Sequence, residues 1–181
     1  MTGSGGQQQQ GLFRRIRKRL ADSIPSPWTI LIGSVLFGAL SAASAVVGLY
    51  LRYGFLFFSN DAIVLLYFYG AAVGFAPGLV LANLIAGRAR RPARFIIGAI
   101  ILFLSGHTAT AAIFALQYRM FYAHWHADFP SIIWGFQLVF TSAAAVYQFT
   151  VNSLYLSYPL APAIFIGLGL WFAAQSRPAA Q

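Results

Sequence analysis

Residues 62–87 read AIVLLYFYGAAVGFAPGLVLANLIAG, which is 26 consecutive positions without a charged side chain. A helix needs about 20 mostly apolar residues to cross a hydrocarbon core of about 30 Å. Two further runs, residues 28–51 and 95–118, each hold 24 uncharged positions, and a last run over 132–174 holds 43. The pattern predicts a chain that passes through a membrane several times.

The last run is too long for one membrane-spanning helix. Its middle, residues 157–162, reads SYPLAP, and prolines end helices and extend the residue before them. We therefore place two spans here, at 132–154 and 160–174, and predict an all-α, polytopic transmembrane helical bundle of five spans over residues 28–175. The alternative has four spans and a last segment that is re-entrant or too short to cross.

The overall composition agrees with a membrane protein. Apolar residues make up 59% of the chain and charged residues only 8%, whereas about a quarter of an average soluble domain is charged. With three acidic residues in the whole chain, a normal water-facing surface is not available. The composition therefore excludes an ordinary soluble domain.

Basic residues are distributed unevenly about the spans. Nine of the twelve Lys and Arg residues lie before the first span or between the second and third. The positive-inside rule places both clusters in the cytoplasm. We expect a multi-pass protein of the bacterial inner membrane with a cytoplasmic N-terminus and, with five spans, an external tail at 176–181. The mitochondrial inner membrane is the alternative.

The N-terminal region has two parts. Residues 1–10 are rich in Gly, Ser and Gln and are expected to be disordered. Residues 11–27 place apolar and basic side chains on opposite faces of a helix, which is typical of a helix lying at a membrane interface. The side chains expected to meet anionic headgroups are Arg14, Arg15, Lys18 and Arg19. A charge cluster that only sets topology is the alternative, and nucleic acid is excluded as a partner because this segment is held at a membrane surface.

Small residues recur every three or four positions in the first two spans. Such faces let helices approach closely in lipid, where water does not drive packing. The positions are Gly70, Gly74, Gly78 and Ala82 in the second span and Gly38, Ser41 and Ala45 in the first. We expect the two faces to pack on each other. The alternative is that one of them binds a second copy or a partner membrane protein.

Polar residues inside the spans are few and none is charged. Gln137, Thr141, Gln148 and Asn152 fall on a stripe about 60° wide along the fourth span. Such a stripe is expected to face the protein interior or an aqueous groove, either as interhelical hydrogen bonds or as a substrate path. His107 lies in the middle of the third span and is interpreted as a neutral side chain bonded to a neighbouring polar group, such as Gln137 or Gln148, with haem, proton or quinone contact as the functional alternative.

The loop before the fourth span holds three possible metal ligands. His124, His126 and Asp128 alternate by two, so in an extended chain they point the same way, as Zn or Cu ligands would. The alternative is an interfacial belt of aromatic and polar residues.

No catalytic motif and no resident cofactor is indicated. The leading hypothesis is a small, non-enzymatic membrane subunit or accessory factor that packs against a partner or against its own copies. A small transporter or lipid-handling protein with a path along the polar stripe and His107 is the second hypothesis. A haem- or metal-associated redox subunit is the third.

Overall fold

The structure, a computed structural model, describes residues 13–14, 17–54, 61–157 and 160–175. Within these ranges the chain is helical and contains no strand, which confirms the all-α fold class. Residues 17–23 form a short helical segment. The longer helices are α1 (Pro27–Tyr53), α2 (Asp61–Ala86), α3 (Arg91–Tyr122), α4 (Ile132–Ser157) and α5 (Ala161–Ala174). The first four are long and apolar enough to cross a membrane, whereas α5 has only 14 residues.

The ends of α1 are fixed by local backbone chemistry. Ser26 precedes the helix in an extended conformation, and its side chain accepts a hydrogen bond from the Thr29 amide at 3.2 Å. Pro27 occupies the first turn, where its missing N–H leaves no bond unmade. Gly54 ends the helix with a φ of +76°, a left-handed conformation that glycine adopts without strain.

Helices α1, α2 and α3 pack as antiparallel neighbours, with α2 in the centre. A Cβ atom added at Gly74 of α2 would lie 2.5 Å from the Ser105 carbonyl oxygen and 2.7 Å from the Gly106 Cα, both on α3. Gly70 and Gly78 also approach α3 closely, at Thr110 and Ser105. The prediction that this small-residue face meets the first span is therefore wrong. Gly38 of α1 does pack closely on α2, but against the Phe68 carbonyl oxygen, at 2.8 Å from an added Cβ.

The two ends of the bundle differ in character. At one end lie residues 22–27 and the turn 87–90, with Arg88, Arg90 and Arg91, and we call it the basic end. At the other lie the last turn of α1, the start of α2 and the aromatic loop 121–131, and we call it the aromatic end.

Helix α4 runs across the bundle rather than along it. Near its start, Trp134 lies under the Arg119 guanidinium, 4.9 Å from the ring centre, and near its end the Leu156 Cα lies 2.8 Å from a Cβ added at Gly48. Both Arg119 and Gly48 are within five residues, or about 8 Å, of the aromatic ends of their helices. The segment from Trp134 to Leu156 is about 33 Å long, so α4 is steeply inclined to α1 and α3.

Helix α5 completes the crossing that α4 begins. Its first residues lie at mid-depth, where Ala161 lines a cavity with Ser41 and His107. Its last turn lies at the basic end, because the Arg94 guanidinium donates hydrogen bonds to the carbonyl oxygens of Phe172 (2.9 Å) and Gln175. The structure thus favours four crossings, the last shared by α4 and α5. Gln175, the last described residue, thus lies at the same end of the bundle as residues 22–27, whereas five full spans would place it at the other end; the predicted external tail, residues 176–181, lies outside the described residues.

Candidate functional site

A lateral groove separates α1 from α5. These two helices touch little, and the space between them has a volume of about 750 Å³. Its walls are almost entirely apolar, with Ile32, Leu36 and Leu40 from α1 and Ile164 and Leu168 from α5. We call this space the lateral groove.

Aromatic rings of three different helices close the inner side of the lateral groove. The Phe75 ring of α2 lies 6.1 Å from that of Phe37 and 5.6 Å from that of Trp171, measured between ring centroids. Phe75 can take this central position because Gly33 of α1 has no side chain: an added Cβ would collide with the Phe75 ring. On the opposite wall, Gly167 meets only open space, since an added Cβ there has no neighbour within 4 Å.

The lateral groove begins at the basic end and stops at mid-depth. Trp28 and Gln175 line its mouth, whereas Ala43 and Leu160 line its inner limit. Along α1, the 15 residues from Trp28 to Ala43 correspond to about 22 Å. The groove therefore follows about half the thickness of a bilayer with its headgroups.

The N-terminal helical segment is bonded to the basic end of the bundle, where the lateral groove begins. The Asn83 side-chain amide donates a hydrogen bond to the Ser23 carbonyl oxygen at 3.1 Å, and Asp22 forms an exposed ion pair with Arg88 at 3.6 Å. Of the side chains expected to meet headgroups, Arg14, Lys18 and Arg19 are exposed, and Arg15 lies outside the described residues. Phe13, Leu20 and Ile24 of this segment are exposed as well, so its apolar side is not covered by the described chain.

The predicted polar stripe lies on one edge of α4, but it does not face the core. Gln137 and Thr141 are partly buried, and Gln148 and Asn152 are exposed. The edge points to the aromatic end: the Gln137 side-chain oxygen accepts a hydrogen bond from the Ala127 amide at 2.8 Å. Asn152 lines a cavity with Arg52 and Tyr53, at the end of α1. Because α4 lies across the bundle, a stripe along it follows the end of the bundle rather than a path through it.

His107 does not join this stripe. Its ring packs on Phe149, with 5.0 Å between ring centroids, and it lines a cavity with Ser153 and Ser157 on the opposite edge of α4. Positions 148 and 153 are about 140° apart around a helix. In the described parts of the chain His107 has no hydrogen bond to Gln137 or Gln148, so its predicted bond to one of these amides is wrong.

The three possible metal ligands are not arranged as the sequence predicts. Residues Ala123–Trp125 form a 3₁₀ turn, so His124 and His126 do not alternate as they would in an extended chain. His124 instead packs against Trp125, with 3.5 Å between ring centroids. Among all described residues, no group of three His, Cys, Asp or Glu side chains could hold a metal ion, and this contradicts the metal interpretation of the loop.

Arg94 has a structural role that its position in the sequence hides. Arg94 belongs to the basic cluster between the second and third spans, which predicts topology, yet its side chain is buried and bonded to the last carbonyl groups of α5. A cation at this place satisfies carbonyl groups that have no partner within the helix and interacts favourably with the helix dipole. Its guanidinium also lies 5.2 Å from the centre of the Phe172 ring. The sequence held one indication of this role, because Arg94 is the basic residue of its cluster nearest the third span.

Comparisons with known proteins give no further guide. Neither models of protein families nor characterised proteins or solved structures match this chain.

Proposed function

We propose that this chain is a non-enzymatic lipid-binding protein of the bacterial inner membrane that holds one acyl chain of a phospholipid in the lateral groove. In this proposal the basic end is cytoplasmic, in line with the distribution of Lys and Arg. The observation that carries the proposal is the course of the groove, from Trp28 and Gln175 at the basic end to Ala43 and Leu160 at mid-depth.

The length of the groove supports a lipid from the adjacent leaflet. A leaflet with its headgroup region is about 20–22 Å deep, which is close to the length of about 22 Å estimated along α1. A chain entering between α1 and α5 would reach Leu160 and Ala43 at its end and would meet apolar walls throughout.

The volume of the groove suits an acyl chain. The groove holds about 750 Å³. An acyl chain about 4–5 Å across, a width set by carbon contact distances, needs only a few hundred Å³ over the length of the groove. One chain fits fully and a second fits in part.

The chemistry around the mouth supports an anionic headgroup. The N-terminal segment ends at Pro25 and Ser26, directly before the groove, and its exposed Lys18 and Arg19 lie on the same end of the bundle. Basic side chains at a membrane surface attract anionic lipids by about 1 kcal/mol each. The exposed apolar residues of the segment support its position at the interface.

The proposal is tested by filling the groove. Gly167→Leu places a side chain in the open space of the lateral groove, whereas Gly135→Leu places the same side chain in open space on α4. After delipidation in mild detergent, native mass spectrometry is expected to show a bound anionic phospholipid on the wild type and on Gly135→Leu, and much less of it on Gly167→Leu.

Equal lipid retention by all three proteins would contradict the proposal. Loss of a co-purifying protein from Gly167→Leu, with lipid unchanged, would show instead that the groove holds a partner helix.

A second candidate function is that of an accessory subunit bound to a partner membrane protein. The observation that favours it is the exposed Gln148 amide on α4, since amides on the surface of membrane helices often bond to neighbouring helices. The small-residue face of α2 does not favour it, because that face is already packed on α3. Co-purification of a defined partner with the wild type, and its loss from Gln148→Leu, would support this role.

A further inference from the structure

A second cavity lies on the other side of α5, where α4 ends and α5 begins. Its volume is about 310 Å³, and it lies between α3, the end of α4 and the start of α5. The residues that line it include Phe103, His107, Ser153, Ser157, Ala161 and Phe165. We call it the His107 cavity. It shares no lining residue with the lateral groove.

His107 is the polar group of this cavity that is not used within the described chain. Ser153 donates to the Thr150 carbonyl oxygen at 2.9 Å, the Ser157 carbonyl oxygen accepts from Ser44 at 2.9 Å, and the Ser157 side chain pairs with Tyr67. His107 makes a ring contact with Phe149 but, among the described residues, no hydrogen bond. A neutral imidazole carries one donor and one acceptor, and leaving them unpaired in hydrocarbon is unfavourable.

The depth of the cavity restricts the molecules that can reach it. His107 is 16 residues after the start of α3 and 15 before its end, so it lies at mid-depth. The ester groups of phospholipids lie about 15 Å from the centre of the bilayer, at the edge of the hydrocarbon core. A ligand that presents an acceptor to His107 therefore has to be dissolved within the core.

The walls of the cavity indicate the shape of such a ligand. The Phe103 and Phe165 rings meet edge to face with 5.9 Å between centroids, and the Phe149 ring lies beyond His107. Aromatic walls of this kind pack well against a flat ring. A volume of about 310 Å³ holds one substituted ring and the beginning of an apolar tail, at the lower limit of common small-molecule sites.

From these observations we propose that the His107 cavity binds the ring of a membrane-dissolved quinone, with the His107 N–H donating to a quinone carbonyl oxygen. The ring packs against the side of the Phe103 and Phe165 pair, and the tail extends from the cavity into the lipid. The proposal concerns binding and includes no electron transfer.

The test uses the full chain in mild detergent with two probes. Isothermal titration with decylubiquinone measures affinity, and a photoreactive azidoquinone followed by peptide mapping locates the site. His107→Leu removes the donor and is expected to weaken binding about tenfold, the effect of one hydrogen bond. His107→Asn keeps an N–H donor and is expected to restore part of the affinity. His124→Leu, the same change at an exposed histidine of the aromatic end, is the matched control and is expected to bind like the wild type.

The labelled peptides are expected to come from α3 around Phe103, the end of α4 and the start of α5. Circular dichroism and gel filtration check that each variant is folded. No saturable binding by the wild type, or equal affinity of the wild type and folded His107→Leu, would overturn the proposal. Labels found mainly on Ile32 or Leu36 of the lateral groove would also overturn it, while leaving the proposed lipid groove intact.

Discussion

Replacing Gly74 by alanine should separate two helices that touch through their backbones. The added Cβ would lie 2.5 Å from the Ser105 carbonyl oxygen and 2.7 Å from the Gly106 Cα, whereas ordinary van der Waals contact begins near 3.4 Å. Both neighbours are backbone atoms of α3, so no side chain can turn aside. The helices have to separate by nearly 1 Å, which also stretches the 2.7 Å hydrogen bond from Ser105 to the Gly74 carbonyl oxygen.

The expected loss of stability follows from these two effects. Overpacking in a well-packed core costs about 1–3 kcal/mol, and an interhelical hydrogen bond in a bilayer contributes about 0.6 kcal/mol. We expect the free energy of unfolding to fall by about 2–3 kcal/mol relative to a control that has no clash. This corresponds to a change of roughly 30- to 150-fold in the unfolding equilibrium.

Gly167→Ala is the control, because it is also in a helix interior but its Cβ meets open space. Both substitutions gain about 1 kcal/mol of helix propensity, so their difference isolates the packing effect. The difference in unfolding free energy is measured by equilibrium unfolding in mixed micelles of a mild detergent and dodecyl sulfate, with circular dichroism as the signal. Variants that differ by less than about 0.5 kcal/mol would refute the close approach of α2 and α3.

Two further predictions concern the basic end of the bundle. Arg94→Leu leaves the last carbonyl groups of α5 without their donor. We expect a loss of about 2–3 kcal/mol in the free energy of unfolding and faster proteolysis near Gln175, with a smaller effect for Arg94→Lys. An unchanged melting temperature for Arg94→Leu would contradict the capping role. The chain has no cysteine, so single-cysteine variants report topology directly. We expect an impermeant maleimide to react from one side of sealed vesicles with Arg88→Cys and Gln175→Cys, and from the other side with Asp128→Cys. If Gln175→Cys reacted from the same side as Asp128→Cys, the chain would need a fifth full crossing.

The positions of the helices could be predicted from the sequence, because a long uncharged apolar run in lipid forms a helix in order to satisfy its backbone hydrogen bonds. The predicted span 28–51 corresponds to Pro27–Tyr53, and 62–87 corresponds to Asp61–Ala86. The break near Pro159 and Pro162 was also predicted, and α4 and α5 do lie on either side of it. Close helix packing at Gly74 was expected as well, but α3 was not expected as the helix that packs there. A four-residue spacing of small residues shows which face of a helix is closely packed, but not which helix packs on it.

The course of α4 could not be predicted, and the errors about the candidate site follow from it. Periodicity shows which residues share an edge of a helix, whereas the inclination of that helix depends on its neighbours. Gln148 and Asn152 do share an edge, but the edge follows the aromatic end instead of crossing the membrane. The lateral groove was missed for a related reason. It exists because α1 and α5 touch little, and no residue pattern in either helix predicts an unfilled space between them.

The shortness of α5 implies an order of assembly. Its 14 residues are about 21 Å long, less than the thickness of the hydrocarbon core, so it cannot be held in the bilayer as an independent span. Its place is defined by surfaces that exist only after α3 has inserted: the Arg94 side chain at one end and the backbone beside Phe95, 2.9 Å from an added Cβ at Gly169. Helix α3 therefore has to be in place before α5 can dock, and α5 joins the bundle by packing rather than by crossing the bilayer on its own.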